Sequence, residues 1–170
     1  MAAIFTQSIK QHPLHINVAK LVRCEQIHSA IVRSVDSRAW GTVVPGCDGL
    51  VTKTPGTILA IRTADCFPIA MADETRQAWG IGHAGWKGIY KGIAESLVRA
   101  MAQLSGRPES MRVWIGAGIG SCHFEVRQDV AQLFPESVVQ RDGKLWVDLR
   151  KEIERRLLAV GLDKNKINAD

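Results

Sequence analysis

The amino-acid sequence predicts an α/β (α+β) fold in which mixed sheets form a sandwich with flanking helices. Short β-rich runs bounded by Pro, Gly or Asp fill the first half of the chain. Apolar residues then recur every three or four positions from Ile89 to Leu104, which is typical of an amphipathic helix. Strands and helices are mixed, and the strands are too clustered for a regular βαβ succession. We therefore expect mixed sheets and not a Rossmann fold.

The first half is expected to consist mainly of strands. Residues 14–35 are predicted to be extended around a turn at 26–28, and residues 45–49 to form a loop before a short strand at 50–52. Further strands are predicted at 57–63, at 67–71 and at 77–82, and His83 closes the last of them.

The second half adds helices. The helix that contains Ile89 is expected to stop near residues 105–106, before a strand at 112–119. A helix is predicted at 125–134 and a strand at 145–147. Asp148 is suited to cap a helix that runs to about residue 160, and Gly161 is well placed to end it. Residues 166–170 have the character of a strand that is just beginning, so a single domain over 1–170, incomplete at its C-terminal end, is expected.

Composition excludes several classes of protein. A chain of 170 residues with 46% apolar and 23% charged residues is ordinary for one globular domain. No apolar stretch approaches the length needed to span a bilayer. Residues 1–7 lack the pattern of a signal peptide, which makes the cytoplasm the expected compartment.

Neither the cysteines nor the charge pattern suggests a disulfide scaffold or a nucleic-acid-binding protein. The four cysteines are widely spaced and form no CxxC pair, so free thiols are expected. The net charge is +5, but the densest basic cluster alternates with Glu152 and Glu154 on a predicted helix. A solvated helix face explains that cluster. Modest positive charge also favours anionic small molecules such as phosphate.

Three side chains form a candidate metal site. Cys66 and His83 each follow an apolar run, and two neighbouring strands would bring them together. His28 supplies a second imidazole from the predicted turn. One sulfur and two imidazoles suit Zn²⁺, and three protein ligands leave a coordination position for water or substrate. The simpler alternatives are a buried thiol, a turn histidine and a structural histidine on a strand.

Residues next to these three suggest binding roles. Asp65 can orient a ligand or cap the local turn. Gly85 and Lys87 lie where the helix is predicted to begin, and free N–H groups there, with the charges of Lys87 and Lys91, suit phosphate. The glycine-rich segment 116–120 is expected to line the same pocket, but it lacks the spacing of a dinucleotide loop. Cys24, four residues before His28, would be a rival metal ligand only if that segment were helical. No role is assigned to the three other histidines, His12, His15 and His123.

Five sequence blocks, in order, resemble the laccase-domain family, which is also called the polyphenol oxidase or purine nucleoside phosphorylase family. The blocks lie at 26–28, 47–52, 63–69, 82–88 and 115–126, and read QIH, CDGLVT, TADCFPI, GHAGWKG and IGAGIG…FEV. The resemblance implies a zinc site of His28, Cys66 and His83, and a fold similar to that of cysteine deamidases. It also implies phosphorolysis of purine nucleosides, adenosine deamination, and, in bacterial relatives, editing of peptidoglycan precursors. The family continues beyond residue 170 with a Cys-Thr pair and an aromatic–Arg–Arg segment.

The favoured hypothesis is a zinc-dependent enzyme that acts on purine nucleosides, with Cys66, His83 and Asp65 as catalytic residues. Lys87, Gly85 and Glu125 are the expected substrate- or phosphate-binding residues, and Asp65 and Glu125 are candidate proton donors or acceptors. The expected partners are a nucleoside and phosphate, without nucleic acid or membrane, in a monomer or homodimer. Copper can occupy the site, but five histidines are too few for a multicopper oxidase.

Two alternatives remain open. The first is a metal-free thiol hydrolase or deamidase in which Cys66 is the nucleophile and His83 its base. The second is a zinc-stabilised binding module without activity.

Overall fold

A computed structural model describes residues 17–73, 75, 77–105 and 108–169, and within these ranges twelve strands form three sheets with four α-helices. This mixture of sheets with few helices confirms the predicted fold class. Elements predicted at residues 14–16, 106 and 170, and the unassigned His12 and His15, lie outside the described residues. The strands are β1 (Leu21–Cys24), β2 (Val32–Ser34), β3 (Val43–Val44), β4 (Gly49–Thr52), β5 (Ile58–Ala60), β6 (Phe67–Asp73), β7 (Ala78–Ala84), β8 (Arg112–Ile115), β9 (Glu125–Val126), β10 (Val138–Arg141), β11 (Lys144–Val147) and β12 (Ile167–Ala169), and the helices are α1 (Trp86–Lys91), α2 (Ile93–Ser105), α3 (Gln128–Ala131) and α4 (Leu149–Ala159).

A six-stranded sheet forms the centre of the fold. Its strand order is β12-β8-β6-β7-β4-β2; the inner pairs are antiparallel, and the two outer pairs, β12 with β8 and β2 with β4, are parallel. The other two sheets have three strands each: β3-β1-β5 is entirely parallel, and β10-β11-β9 is antiparallel.

Both faces of the central sheet are covered, because alternate residues of a strand point to opposite sides. On β4, Val51 belongs to a large apolar cluster shared with α1, α2 and α4, whereas Leu50 belongs to a small cluster shared with β1 and β5. Two glycines of β7 let α2 lie close to the sheet. A Cβ at Gly80 would lie 3.2 Å from Met101 Sδ, and one at Gly82 would lie 3.3 Å from Leu97 Cδ2.

Several predicted elements are confirmed, although their bounds shift. The strands at 50–52, 57–63, 67–71 and 145–147 correspond to β4, β5, β6 and β11, and the strand expected near the end corresponds to β12. Helix α4 begins at the predicted cap, where the Asp148 side chain accepts a hydrogen bond from the Lys151 N–H at 2.9 Å. Gly161 follows it with a φ of +91°. Strand β7 runs through His83 to Ala84 instead of ending before it.

Three predictions about local structure are wrong. The helix expected as one segment after residue 85 is two, because Gly92 adopts a left-handed conformation with φ +92° that ends α1. The strand expected at 112–119 stops at Ile115. The helix expected at 125–134 is instead strand β9, which pairs with β11, followed by the four-residue α3. Pairing with a strand remote in sequence overrides the local helical pattern in that segment.

Within the described ranges, no helix has the combination of length and apolar character that crossing a bilayer requires.

Two adjacent leucines of α4 test the packing. Leu157 is fully buried in the large cluster, whereas 39% of Leu158 is exposed. We expect Leu157→Ala to lower the free energy of unfolding by about 2–5 kcal/mol, because it leaves a cavity. Leu158→Ala should lower it far less. Urea unfolding followed by circular dichroism measures both, and equal effects would contradict the placement of α4.

A buried carboxylate on α4 predicts acid sensitivity. Burial raises the pKa of Glu152, but hydrogen bonds from Arg155, Arg156 and Ser137 outweigh it, and the pKa is lowered overall. A lowered pKa stabilises the native state above the ordinary pKa of glutamate, and this contribution is lost as pH falls through the native value. We expect Glu152→Gln to remove that part of the acid-induced loss of stability. Glu154→Gln, at a more exposed position, is the control. Unfolding curves measured from pH 7 to pH 3 test this, and identical pH profiles of wild type and Glu152→Gln would contradict it.

Candidate metal centre

The three predicted ligands come together from three separate segments. His28 lies in the turn after β1, Cys66 in the bend before β6, and His83 on β7. One ligand atom of each lies within 4.8 Å of those of the other two. Among the residues that the structure describes, this is the one group of at least three His, Cys, Asp or Glu side chains close enough to hold an ion.

Antiparallel pairing explains why Cys66 lies beside His83. Strand β6 pairs with β7 so that Phe67 faces Ala84 and Pro68 faces His83. The start of β6 therefore lies beside the end of β7, and Cys66 immediately precedes β6. In the sequence, the thiol also follows the preceding apolar run, residues 57–63. The strand formed by that run, β5, belongs to a different sheet.

The fully buried carboxylate of Asp48 organises the site. Its Oδ1 lies 2.9 Å from His83 Nδ1 and accepts a hydrogen bond from the His28 N–H at 3.0 Å. Its Oδ2 accepts hydrogen bonds from the N–H of Ile27, and from both the N–H and the Oγ of Ser29. Although burial raises the pKa of Asp48, these hydrogen bonds outweigh it and lower the pKa overall. The group therefore remains a carboxylate at neutral pH.

The hydrogen bond from His83 to Asp48 determines the imidazole tautomer. An ionised carboxylate only accepts hydrogen bonds, so His83 Nδ1 carries a hydrogen, and in the neutral imidazole Nε2 then keeps its lone pair for a ligand. The His28 and His83 rings meet edge to face, with centroids 5.0 Å apart and an angle of 75° between their planes. His83 is buried, whereas His28 is exposed, so the cluster opens towards solvent on the His28 side.

The turn that carries His28 has an unusual backbone. Gln26 and His28 have φ values of +66° and +57°, although neither is glycine. Such conformations cost on the order of 1–3 kcal/mol each and persist where the surroundings fix them. Here Asp48 accepts from three consecutive N–H groups of the turn.

Gly85 leaves the space that the donor atoms occupy. A Cβ at this position would lie 2.9 Å from Cys66 Sγ and 3.0 Å from His28 Cδ2. A larger residue would push these side chains apart. The predicted binding residue Gly85 therefore lies at the cluster and contributes by having no side chain.

The Cys66 thiol is not an activated nucleophile in the metal-free protein. Burial raises its pKa, and the negative charges of Asp65 and Asp48 raise it further. A raised pKa keeps the thiol protonated at neutral pH, whereas nucleophilic cysteines have lowered pKa values. A bound cation would instead favour the thiolate.

The other predicted site residues are placed less favourably. Asp65 is exposed, and its backbone O accepts from the Ile119 N–H at 2.8 Å, which links the Cys66 bend to the glycine-rich segment 116–120. Lys87 is exposed on the six-residue α1, with Nζ 5.4 Å from the centroid of the Trp86 ring. Lys91 contacts the turn that carries His28, because its Nζ donates to the His28 backbone O at 3.4 Å. Glu125 is exposed on β9 and accepts from Lys144 at 2.8 Å.

Asp48 is the functional residue that the sequence analysis missed. It occurs in one of the five recognised blocks, but no role was assigned to it. A signal was present: an ionisable residue directly precedes the run of β4, whose four residues are all buried. Asp65, which was considered as the orienting carboxylate, is exposed, and Asp48 holds His83 instead.

This chain is similar in sequence to a family model and to several named proteins. A family model described as multi-copper polyphenol oxidoreductase laccase matches residues 6–170. A protein named purine nucleoside phosphorylase from Deinococcus radiodurans is 43% identical over 107 residues, which are 60% of this chain and 42% of that protein. A protein named adenosine deaminase RL5, from an unknown prokaryotic organism, is 29% identical over 165 residues, covering 88% of this chain and 63% of that protein.

A solved structure agrees with the sequence comparisons. The hypothetical protein YfiH from Bacillus licheniformis superposes with a TM-score of 0.87 at 28% identity, covering 92% of this chain and 65% of that one. The chain therefore spans about two fifths to two thirds of the length of these proteins.

Removal of the central carboxylate tests the architecture of the site. We expect Asp48→Ala to lower the free energy of unfolding by at least about 3 kcal/mol, because several buried donors lose their acceptor together. Asp36→Ala is a matched control, since Asp36 also accepts from a backbone N–H but pairs with Arg38 at the surface. Chemical denaturation compares the two variants, and a loss from Asp48→Ala no larger than that from the control would show that Asp48 does not organise the site.

Proposed function

This chain belongs to the multi-copper polyphenol oxidoreductase laccase family, and from that premise we propose that it is a zinc-dependent enzyme acting on purine nucleosides. The proposed reactions are phosphorolysis of adenosine- or inosine-type nucleosides and deamination of adenosine. The observation that carries the proposal is the convergence of the His28, Cys66 and His83 donor atoms within 4.8 Å of one another. The relatives named purine nucleoside phosphorylase and adenosine deaminase support the substrate class.

The donor set fits zinc. Two imidazoles and one thiolate are common zinc ligands, and three protein ligands are typical of catalytic zinc sites. His83 presents Nε2 because its Nδ1 is hydrogen-bonded to Asp48. Gly85 has no Cβ that would crowd Cys66 and His28. A zinc ion at these residues would supply a Lewis acid with one coordination position left for a small oxygen ligand.

The family's multicopper description fits these residues poorly. Multicopper oxidation needs several sets of histidines, and the described residues contain one candidate cluster. Copper competes well for nitrogen and sulfur ligands, so it would also bind there if supplied. We therefore propose zinc as the functional ion.

Charges beside the cluster support an anionic co-substrate. Lys91 reaches the backbone of the His28 turn, and Lys87 lies one turn earlier on the same helix. Because α1 has only six residues, its dipole contributes little, and these two ammonium groups would attract phosphate to the open, His28 side of the site.

Proton transfer is proposed for Asp65. Its exposed carboxylate adjoins Cys66 in the chain and is accessible to a bound nucleoside. Glu125 is the weaker candidate for proton transfer, because it forms a salt bridge with Lys144.

One observation favours a second candidate function, a metal-free thiol hydrolase or deamidase. The arrangement resembles a carboxylate–imidazole–thiol triad, because Asp48 contacts the His83 ring and the Cys66 thiol lies within 4.8 Å of that ring's donor atom. The raised pKa of Cys66 argues against it, and so does the second imidazole, since such a triad has no use for His28.

Zinc content and turnover together distinguish these functions. We expect near-stoichiometric zinc in the purified protein, release of hypoxanthine from inosine with phosphate, and release of ammonia from adenosine. His28→Ala and Cys66→Ala should each lose both the zinc and the turnover, because each removes one of three ligands. His123→Ala and Cys122→Ala, which change the same residue types outside the cluster, should retain both. Elemental analysis and chromatography of the products provide the two readouts.

Three results would contradict the proposal. Turnover that survives His28→Ala but not Cys66→Ala would favour the metal-free thiol enzyme. Stoichiometric zinc without turnover of either nucleoside would favour a zinc-stabilised binding module. Absence of zinc from protein prepared with zinc in the medium would overturn the metal centre.

A further inference from the structure

The two loops that carry His28 and Cys66 leave the same small parallel sheet. Strand β1 leads into the His28 turn, and β5 leads into the Cys66 bend. The two strands pair over three positions, of which the last joins Arg23 to Ala60. Beyond that position the backbones no longer pair, although both donor side chains lie further along.

The side chain of Gln26 continues the pairing where the backbone stops. Its Nε2 donates to the Arg62 backbone O at 2.7 Å, and its Oε1 accepts from the Arg62 N–H at 2.8 Å. A primary amide thus satisfies both the backbone N–H and the backbone C=O of one residue, Arg62, as a neighbouring strand would. The backbone N–H of Gln26 is used elsewhere, since it donates to the Cys47 O at 3.0 Å.

We propose that Gln26 is a positioning residue for the metal centre, and that its amide sets the distance between the His28 imidazole and the Cys66 thiol. Gln26 lies two residues before His28, and Arg62 lies four residues before Cys66. The bend has a second support, the hydrogen bond from the Ile119 N–H to the Asp65 O. That support ties the bend to segment 116–120, whereas Gln26 ties it to the turn that carries His28.

The left-handed conformation of Gln26 is consistent with this role. A φ of +66° is unfavourable for a residue with a Cβ, and glutamine, unlike asparagine, is not favoured there. This conformation directs the backbone N–H to Cys47 while the side chain reaches Arg62. Glycine would relieve the backbone but would remove the connection between the loops.

Three variants isolate the amide. Gln26→Leu removes both hydrogen bonds while keeping a similar size. Gln26→Glu keeps an acceptor for the Arg62 N–H but sets a carboxylate oxygen against the Arg62 carbonyl. Arg62→Ala is the control, because the two hydrogen bonds with the Gln26 amide, which we call the clamp, use only the main chain of Arg62.

Zinc affinity, measured by competition with a chromophoric chelator, is the first readout. We expect Gln26→Leu to weaken zinc binding by about 10- to 100-fold, which is typical when a group that orients metal ligands is lost. Gln26→Glu should fall between Gln26→Leu and wild type, and Arg62→Ala should bind as wild type. With Co²⁺ in place of zinc, the thiolate-to-cobalt absorption should weaken in Gln26→Leu, a change that a general loss of stability would not produce. Unchanged zinc affinity in Gln26→Leu would overturn the proposal.

Amide hydrogen exchange in the metal-free protein is the second readout, since the metal part of this inference rests on the proposed function. We expect faster exchange at Arg62 and along the Cys66 bend in Gln26→Leu, with β6 and β7 unchanged. Equal exchange in wild type and variant would overturn the clamp, whether or not zinc binds. If the wild-type protein binds no zinc, but exchange is still faster in Gln26→Leu than in wild type, the metal centre is overturned. The connection between Gln26 and Arg62 is then still supported.

Discussion

The ionised, fully buried carboxylate of Asp48 is the constraint on which the site depends. Removing such a charge from water costs several kcal/mol unless hydrogen bonds replace the lost hydration. Here an imidazole, a hydroxyl and three backbone N–H groups replace it. These donors come from two segments, the His28 turn and β7, while Asp48 itself precedes β4. One carboxylate thus fixes the ring of one ligand and the backbone of another.

The three candidate ligands differ in how firmly the fold holds them. His83 lies on a central strand of the main sheet and donates to Asp48, so its position is fixed by the core. His28 lies on an exposed turn whose unfavourable backbone depends on Asp48 and Gln26. Cys66 lies between these extremes, in a bend supported at Arg62 and at Asp65. Because His83 is buried and His28 is exposed, the candidate metal site is accessible from the side of His28.

Part of this arrangement could be predicted from the sequence. The proximity of Cys66 and His83 was predicted from their places beside apolar runs. The run that pairs with β7 is the one that follows Cys66, whereas the prediction used the run that precedes it. Helix α4 was predictable because its cap and its terminating glycine are local signals. The role of Gln26 was not predictable, because its partner lies remote in the chain and no local pattern records that hydrogen bond. Asp48 had a local signal, its place before the buried run of β4, but that signal does not identify its hydrogen-bond partners. The break at Gly92 was missed because the apolar spacing continues across it, and spacing alone does not report a left-handed residue.

The raised pKa of Cys66 also has a consequence for oxidation chemistry. Peroxides attack thiolates, and the step to sulfenic acid is correspondingly slow for a thiol that stays protonated. In the unfolded chain Cys66 would lack both the burial and the nearby Asp48 carboxylate that raise its pKa in the native protein. Folding therefore lowers the thiolate fraction of Cys66 relative to the unfolded chain, which slows its reaction with peroxide.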